Sequence, residues 1–137
     1  MKALFTDTSG WMACADASDP LHEPALEARN HWLKDGGVLC STDYITDETL
    51  TLLRMRLSLS AAKTWWESVS ASPRVRWIPI NGDHLESART LFFRQRDKKY
   101  SFTDCTSFVI MKVQGLKHTL TTDHHFTQAG FQCLPEK

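Results

Sequence analysis

Four carboxylates in this sequence stand where an acid has to be accounted for: Asp7, Glu48, Asp104 and Asp123. Asp7 directly follows the run Leu4-Phe5-Thr6, and Asp123 directly follows Leu120-Thr121-Thr122. Each suits a helix N-cap, where a carboxylate accepts orphan backbone donors. Each also suits the carboxyl end of a strand, the edge at which open parallel sheets bind ligands. Glu48 shares a helical face with Ile45, Leu52 and Met55, at spacings of three and four. Three of those four are apolar, which directs Glu48 towards the core side. An unpaired buried carboxylate is costly or becomes protonated unless a cation, an arginine or a metal answers it. At the edge of the stripe the same head group would instead reach water. Asp104 sits in the first turn of a helix, where the dipole favours negative charge, and heads the inward row Asp104, Phe108, Met111.

Converging on one crevice, these four acids would repel one another without a cation. Oxygen-only donors suit Mg²⁺ or Mn²⁺ rather than zinc. Mg²⁺ keeps several waters and bridges carboxylates to phosphate oxygens. The chemistry that follows is metal-assisted hydrolysis of a phosphodiester, with one or two ions activating water and stabilising the leaving oxygen.

The elements that must position these acids alternate along the chain. Ala3-Leu4-Phe5 is a short apolar run that stops at Asp7-Thr8-Ser9-Gly10. Asp19-Pro20 predicts a helix start, followed by Leu21, Ala25, Ala28 and Trp32 at helical spacing and closed by Gly36-Gly37. Val38-Leu39-Cys40 is a second apolar run, and Ser41, Thr42 or Asp43 caps a helix carrying Leu50, Leu53 and Leu57. A further helix spans Leu59 to Val69, begun at Ser58 or Ser60. Val75 to Ile80 is strand-like, with Pro79 marking an edge strand or a strand end. Asn81 caps a helix to about Asp97, and Ser101 or Phe102 precedes another ending at Gly115. Thr119 to Thr122 and Phe131 to Leu134 complete the strands, with a short helix or turn near Phe126. Short apolar strands between amphipathic helices predict a three-layer α/β domain, a parallel sheet of about five strands with helices on both faces.

The chain has 137 residues, which fits a single domain over 1–137. Sixteen basic residues balance sixteen acidic ones, so bulk charge does not hold it to DNA. A local basic rim remains compatible with that balance. No apolar run approaches the ~20 residues of a membrane span, and the N-terminus lacks a signal-peptide stretch. Cys14, Cys40, Cys105 and Cys133 are widely spaced, which argues against a zinc site or disulfide framework. They are expected to be small buried residues in a reducing cytoplasm.

Phe5-Thr6-Asp7-Thr8-Ser9, the isolated Glu48, Ser101-Phe102-Thr103-Asp104-Cys105 and Leu120-Thr121-Thr122-Asp123-His124-His125-Phe126 together resemble a PIN domain. Length and layout look like the VapC-type ribonuclease toxins of toxin–antitoxin pairs, and the resemblance covers nearly the whole chain. It implies an Mg²⁺- or Mn²⁺-dependent endoribonuclease with strand order 3-2-1-4-5. That order places the Val75–Ile80 strand at an edge, in agreement with Pro79. On this likeness Asp7, Glu48, Asp104 and Asp123 fall on the family's acidic metal-site positions, and Ser9 and Thr103 on hydroxyl positions beside them. Asp7 and Asp104 would bind the principal ion. Glu48 would bind it or orient a water as general base. Asp123 would act through water or hold a second ion. The resemblance also implies an RNA substrate, a small antitoxin partner and a homodimer. RNA-processing and non-cutting members make those roles the alternatives.

Arg94, Arg96, Lys98 and Lys99 precede Tyr100 and Asp104. They suit a solvated helix end, or a phosphate rail with Tyr100 as a stacking surface. His124 and His125 are adjacent and so point different ways, which assigns them to surface or packing. Trp65-Trp66 predicts one outward ring for an antitoxin helix or second subunit, with Trp11 as a further position for it. A phosphoacceptor regulatory domain would need a late Lys after a strand, and the strand before Asp123 supplies none.

Overall fold

The computed structural model describes residues 2–136. In chain order the elements are β1 (Ala3–Thr6), α1 (Thr8–Ala15), α2 (His22–Lys34), β2 (Val38–Thr42), α3 (Asp43–Arg56) and α4 (Leu59–Ala71). Then come β3 (Val75–Ile78), α5 (Gly82–Arg94), α6 (Phe102–Val113), β4 (His118–Leu120), α7 (His125–Gln128) and β5 (Gln132–Leu134). The five strands form one parallel sheet in the order β3-β2-β1-β4-β5. The expected order therefore holds, with the Val75 strand at an edge.

Burial follows that order. Every residue of β1 and β2 is buried, as central strands covered on both faces require. The edge strands β3 and β5 are only partly covered. Parallel crossovers are right-handed, so α1 to α4 lie on one face while the return from β3 to β4 carries α5 and α6 over the other. Side-chain contacts agree. Trp11 of α1 stacks on Trp77 of β3 at 5.9 Å and meets Trp65 of α4 edge-on at 5.6 Å. Phe108 of α6 meets Phe126 of α7 edge-on at 4.9 Å.

Register sets the position of the acids. Thr6 lies opposite Leu120, so Asp7 and the segment 121–123 leave neighbouring strands at the same sheet edge. Gly10 permits their close approach. A Cβ there would stand 2.1 Å from the Leu120 carbonyl oxygen, so only glycine lets α1 start against the end of β4.

Several expectations are corrected. Helix α1 fills a stretch to which the sequence pattern assigns no element beyond the cap offered by Asp7, and Asp7 is its N-cap. It is eight residues long and buries Trp11, Met12 and Ala13, so it lacks the polar face that makes a helix legible. Helix α2 begins at His22 rather than Asp19-Pro20. Asp19 instead accepts the Leu21 N–H at 2.8 Å and caps a turn. Helix α5 ends at Arg94, short of Asp97. Strand β3 ends at Ile78, short of Ile80, with Pro79 just beyond it as expected of an edge strand's end. Met55 is 76% exposed and leaves the inward face of α3. Trp11 is 3% exposed, and its Nε1 donates to Ser41 Oγ, so it is a core residue that reaches the surface only at the wall of a groove. Trp66 is the outward ring of the pair, at 38% exposure.

Candidate active site

Asp7 is the best-anchored acid. It caps α1, its Oδ1 accepting the Gly10 N–H at 2.8 Å. Ser9 Oγ donates to the same carboxylate at 2.9 Å, and Thr121 Oγ1 donates to Oδ2 at 2.8 Å. Backbone amides lock these hydroxyls in turn. The Thr122 N–H donates to Ser9 Oγ and the Asp123 N–H to Thr121 Oγ1, both at 2.9 Å. The network ties the start of α1 to the chain leaving β4. Asp7 is only 4% exposed. Burial pushes its pKa up to about 7, against the lowering bonds from Gly10, Thr121 and Ser9, and the charge of Asp123 adds to the rise. The residue that caps α1 also lines a cleft.

Asp104 is the third residue of α6 and closes a reciprocal cap with Ser101. Ser101 Oγ accepts the Asp104 N–H at 2.9 Å, and Asp104 Oδ2 accepts the Ser101 N–H at 3.1 Å. Burial raises its pKa, and the Ser101 bond offsets part of that rise. Asp123 pushes it up further, while His125 opposes. Asp123 Oδ1 accepts the His125 N–H at 2.9 Å. Glu48 is half-buried on α3. All four acids line one cleft of about 360 Å³, together with Thr8, Ser9, Arg56, Lys99, Ser101 and His125.

The donor set fits a hard divalent cation. Every acid offers oxygen only, and Asp123 disfavours the charged forms of both Asp7 and Asp104. Thr8 Oγ1, on the cleft wall, is buried without a partner among the described residues. A second grouping overlaps the first, because Asp123, His124 and His125 offer potential ligand atoms within 4.8 Å of one another.

The remaining expected residues distribute unevenly. Ser9 stands beside Asp7 as anticipated. Thr103 does not line the cleft. Its carbonyl accepts from Thr106, and the hydroxyls around the acids come from Ser9, Ser101 and Thr121. Of the basic cluster, only Lys99 lines the cleft. Lys98 pairs with Asp97 at 3.6 Å, Arg94 lines a separate surface cleft with Asp83 and Glu86, and Arg96 is exposed. Tyr100 packs edge-on against Phe108 and His125. Cys105 is fully buried, and burial raises its thiol to about 11, so it is a packing residue.

Sequence reasoning missed four residues here. Thr121 and Ser101 are small polar residues flanking the acids. Arg56 continues the row Glu48, Leu52 at steps of four, a signal present in the sequence. His125 was assigned to surface or packing, but its Nδ1 lies 2.9 Å from Asp104 Oδ2 and 3.3 Å from Asp123 Oδ1. His124, by contrast, is largely exposed.

Comparison with known proteins places this arrangement. The PIN domain family model matches residues 4–132. The protein named 23S rRNA-specific endonuclease VapC20, from two strains of Mycobacterium tuberculosis, is 32% identical over 128 residues, covering 93% of this chain and 95% of the relative. The crystal structure of M. tuberculosis VapC20, described as a sarcin-ricin loop cleaving toxin, superimposes with a TM-score of 0.84 at 31% identity, over 93% of this chain and 95% of that one. VapBC2 from Rickettsia felis, bound to promoter DNA, gives 0.71 at 8% identity with 96% of each chain covered. FitAcB from Neisseria gonorrhoeae gives 0.67 at 15% identity with 95% of each covered. These last two likenesses are of fold alone. A family match across almost the whole sequence, joined to a relative at 32% identity along nearly its full length, establishes that the chain belongs to the PIN domain family.

Proposed function

We propose that this chain is a metal-dependent endoribonuclease, the toxin of a toxin–antitoxin pair. The observation that carries the reading is the meeting of Asp7, Glu48, Asp104 and Asp123, from four separate places in the sequence, on one open cleft. The VapC20 relatives add the substrate class, and ribosomal RNA of the large subunit is the first substrate to test.

Asp7, Asp104 and Asp123 would hold Mg²⁺ or Mn²⁺, with Glu48 facing them from α3. One or two such ions would supply Lewis-acid chemistry, making water a stronger nucleophile and stabilising charge on the leaving oxygen. Ser9 and Thr121 fix the Asp7 carboxylate, so it need not reorganise during reaction. Glu48 is free to orient the attacking water or accept its proton. Arg56 and Lys99 offer cations on the cleft wall for flanking phosphates. Arg56 stands eight residues beyond Glu48 on one helix, about 12 Å along its axis. That reach suits a phosphate away from the scissile one.

Partners follow from the same reading. A groove of about 490 Å³ runs along α1 and α4, lined by Trp11, Cys14, Ala15, Arg29, Ala61 and Trp65 among others. Leu57 and Leu59, at the α3–α4 turn beside it in sequence, leave apolar surface exposed. This face is the proposed seat of the antitoxin. A second copy of the chain is the other expected partner. No helix among the described residues is long and apolar enough to cross a membrane, and action on ribosomal RNA implies the cytoplasm.

The test is cleavage of total RNA and purified large-subunit rRNA, with ends mapped by sequencing. Mg²⁺, Mn²⁺ and EDTA are compared for the wild type and for Asp104→Asn. Discrete cuts that need both the metal and Asp104 are expected. An intact RNA profile in either ion would overturn the nuclease reading and favour a non-cutting RNA- or partner-binding protein.

A further inference from the structure

Among the described residues, His125 is the one side chain whose ring lies within 3.3 Å of two of the site acids, Asp104 and Asp123. It opens α7, two residues after Asp123, while Asp104 belongs to α6. Its Nδ1 is 2.9 Å from Asp104 Oδ2 and 3.3 Å from Asp123 Oδ1, and its own backbone N–H donates to that same Asp123 oxygen at 2.9 Å. The ring is held in place. Tyr100 packs edge-on against it at 5.4 Å, and the side chain is 19% exposed.

The two carboxylates are used asymmetrically. On Asp104, Oδ2 takes both the His125 ring and the Ser101 N–H. On Asp123, Oδ1 accepts the His125 N–H and lies 3.3 Å from the ring Nδ1. No bond is made to Asp104 Oδ1 or Asp123 Oδ2 among the described residues. Ionised carboxylates only accept, so a ring nitrogen between two of them carries the hydrogen. We infer that His125 is a positioning residue that occupies Asp104 Oδ2 through Nδ1–H and Asp123 Oδ1 through its backbone N–H, with the ring close beside that oxygen, and so presents the other oxygen of each acid to a divalent cation. This rests on the metal-site part of the proposed function, and it assigns His125 no contact with RNA. The ring also ties the start of α6 to the start of α7, adding one bond across the gap between the two acids.

The side-chain amide of asparagine can place an N–H near the position of Nδ1, whereas that of glutamine places it near Nε2. The experiment measures Mn²⁺ affinity without RNA, by titration calorimetry and by the electron paramagnetic resonance of free Mn²⁺. Wild type, His125→Ala, His125→Asn and His125→Gln are compared, each first checked for an intact thermal transition in EDTA. The expected result is a loss of about 10–100-fold in Mn²⁺ affinity for the alanine variant, the usual effect of removing a partner that orients a metal ligand. Asparagine is expected to recover most of that loss, and glutamine little. ¹⁵N shifts of the His125 ring in wild type should show the hydrogen on Nδ1. Unchanged Mn²⁺ affinity in His125→Ala, equal rescue by both amides, a bare Nδ1, or no Mn²⁺ binding by wild type would each overturn the inference. If the alanine variant does not fold, the asparagine–glutamine contrast and the ring shifts still decide it. A protein that binds Mn²⁺ in the expected order but cuts no RNA would sink the nuclease reading and leave this one standing.

Discussion

Replacing Asp7 by Asn should stabilise the metal-free protein at alkaline pH. Burial lifts the Asp7 pKa from 3.8 to about 7 in the folded chain. A rise of roughly three units corresponds to about 4 kcal/mol between the two protonation states. The sign follows from proton binding. Between pH 4 and pH 7 the folded state keeps a proton that the unfolded state has lost, so stability falls as pH rises. Below pH 4 both states are protonated, and above about pH 7 both are ionised, so the loss is then complete. Asn carries no such penalty. Its Oδ1 can still accept from Gly10, and its amide would meet Ser9 and Thr121, whose hydroxyls can turn to accept. Relative to the protonated acid, the amide's poorer fit to bonds placed for a carboxyl group costs about 1–2 kcal/mol. The net expectation at pH 8 in EDTA is a gain of about 2–3 kcal/mol, or about 10 °C in Tm for a chain of this size. Calorimetric melts from pH 5 to pH 8.5 measure it. Asp104 shifts with pH in both proteins, so the difference between variant and wild type isolates Asp7. That difference should widen by about 2.7 kcal/mol from pH 5 to pH 8. Mn²⁺ at a hundredfold excess over Kd should roughly cancel the difference, adding about 2.7 kcal/mol to wild type and little to the variant. A pH-independent difference, or an Asn variant less stable than wild type at pH 8 in EDTA, would refute the account of Asp7 as a strained buried acid.

Arg56→Gln and Lys99→Gln should each lower the slope of log affinity against log salt by about 0.7 for single-stranded RNA, read by filter binding with the Asp104→Asn protein; an unchanged slope removes that residue from the RNA path. Gly10→Ala should cost about 1–3 kcal/mol in urea unfolding, because the added methyl meets the Leu120 carbonyl at 2.1 Å and lifts α1 away from β4. Trp11→Ala should cost about 3–5 kcal/mol as a core deletion, whereas Trp66→Ala, at a more exposed ring, should cost much less. Equal stability losses at the two tryptophans would contradict their assignment to core and surface.

Much of the fold was legible because its signal is periodic. Apolar runs such as Val38-Leu39-Cys40 alternate with helices at spacings of three and four, and right-handed crossovers leave few topologies. Helix α1 was not legible, since Trp11-Met12-Ala13 is buried and carries no polar stripe. Its cap at Asp7 was the available signal. Within α3, spacings of three and four are both allowed, so Met55 and Arg56 competed for the row that begins at Glu48. Charge argued for Met55, and the structure gives the cleft to Arg56, whose aliphatic stem can follow an apolar wall while its head stays wet.

The acids themselves could be found from sequence because a carboxylate at a strand end or on an apolar stripe is anomalous. Their partners could not, because Ser101, Thr121 and His125 are ordinary residues for turns and caps. The pairing of His125 with Asp104 spans 21 positions and depends on α6 and α7 starting side by side. Yet these partners differentiate the site. Both oxygens of Asp7 are bonded, to Gly10, Ser9 and Thr121, so this acid is fixed before any cation arrives. Asp104 and Asp123 are each bonded through one oxygen only, so they keep an open acceptor. Acids alike in sequence therefore divide into an anchor and two arms. The division comes from where the chain places a few hydroxyl, amide and imidazole donors around them.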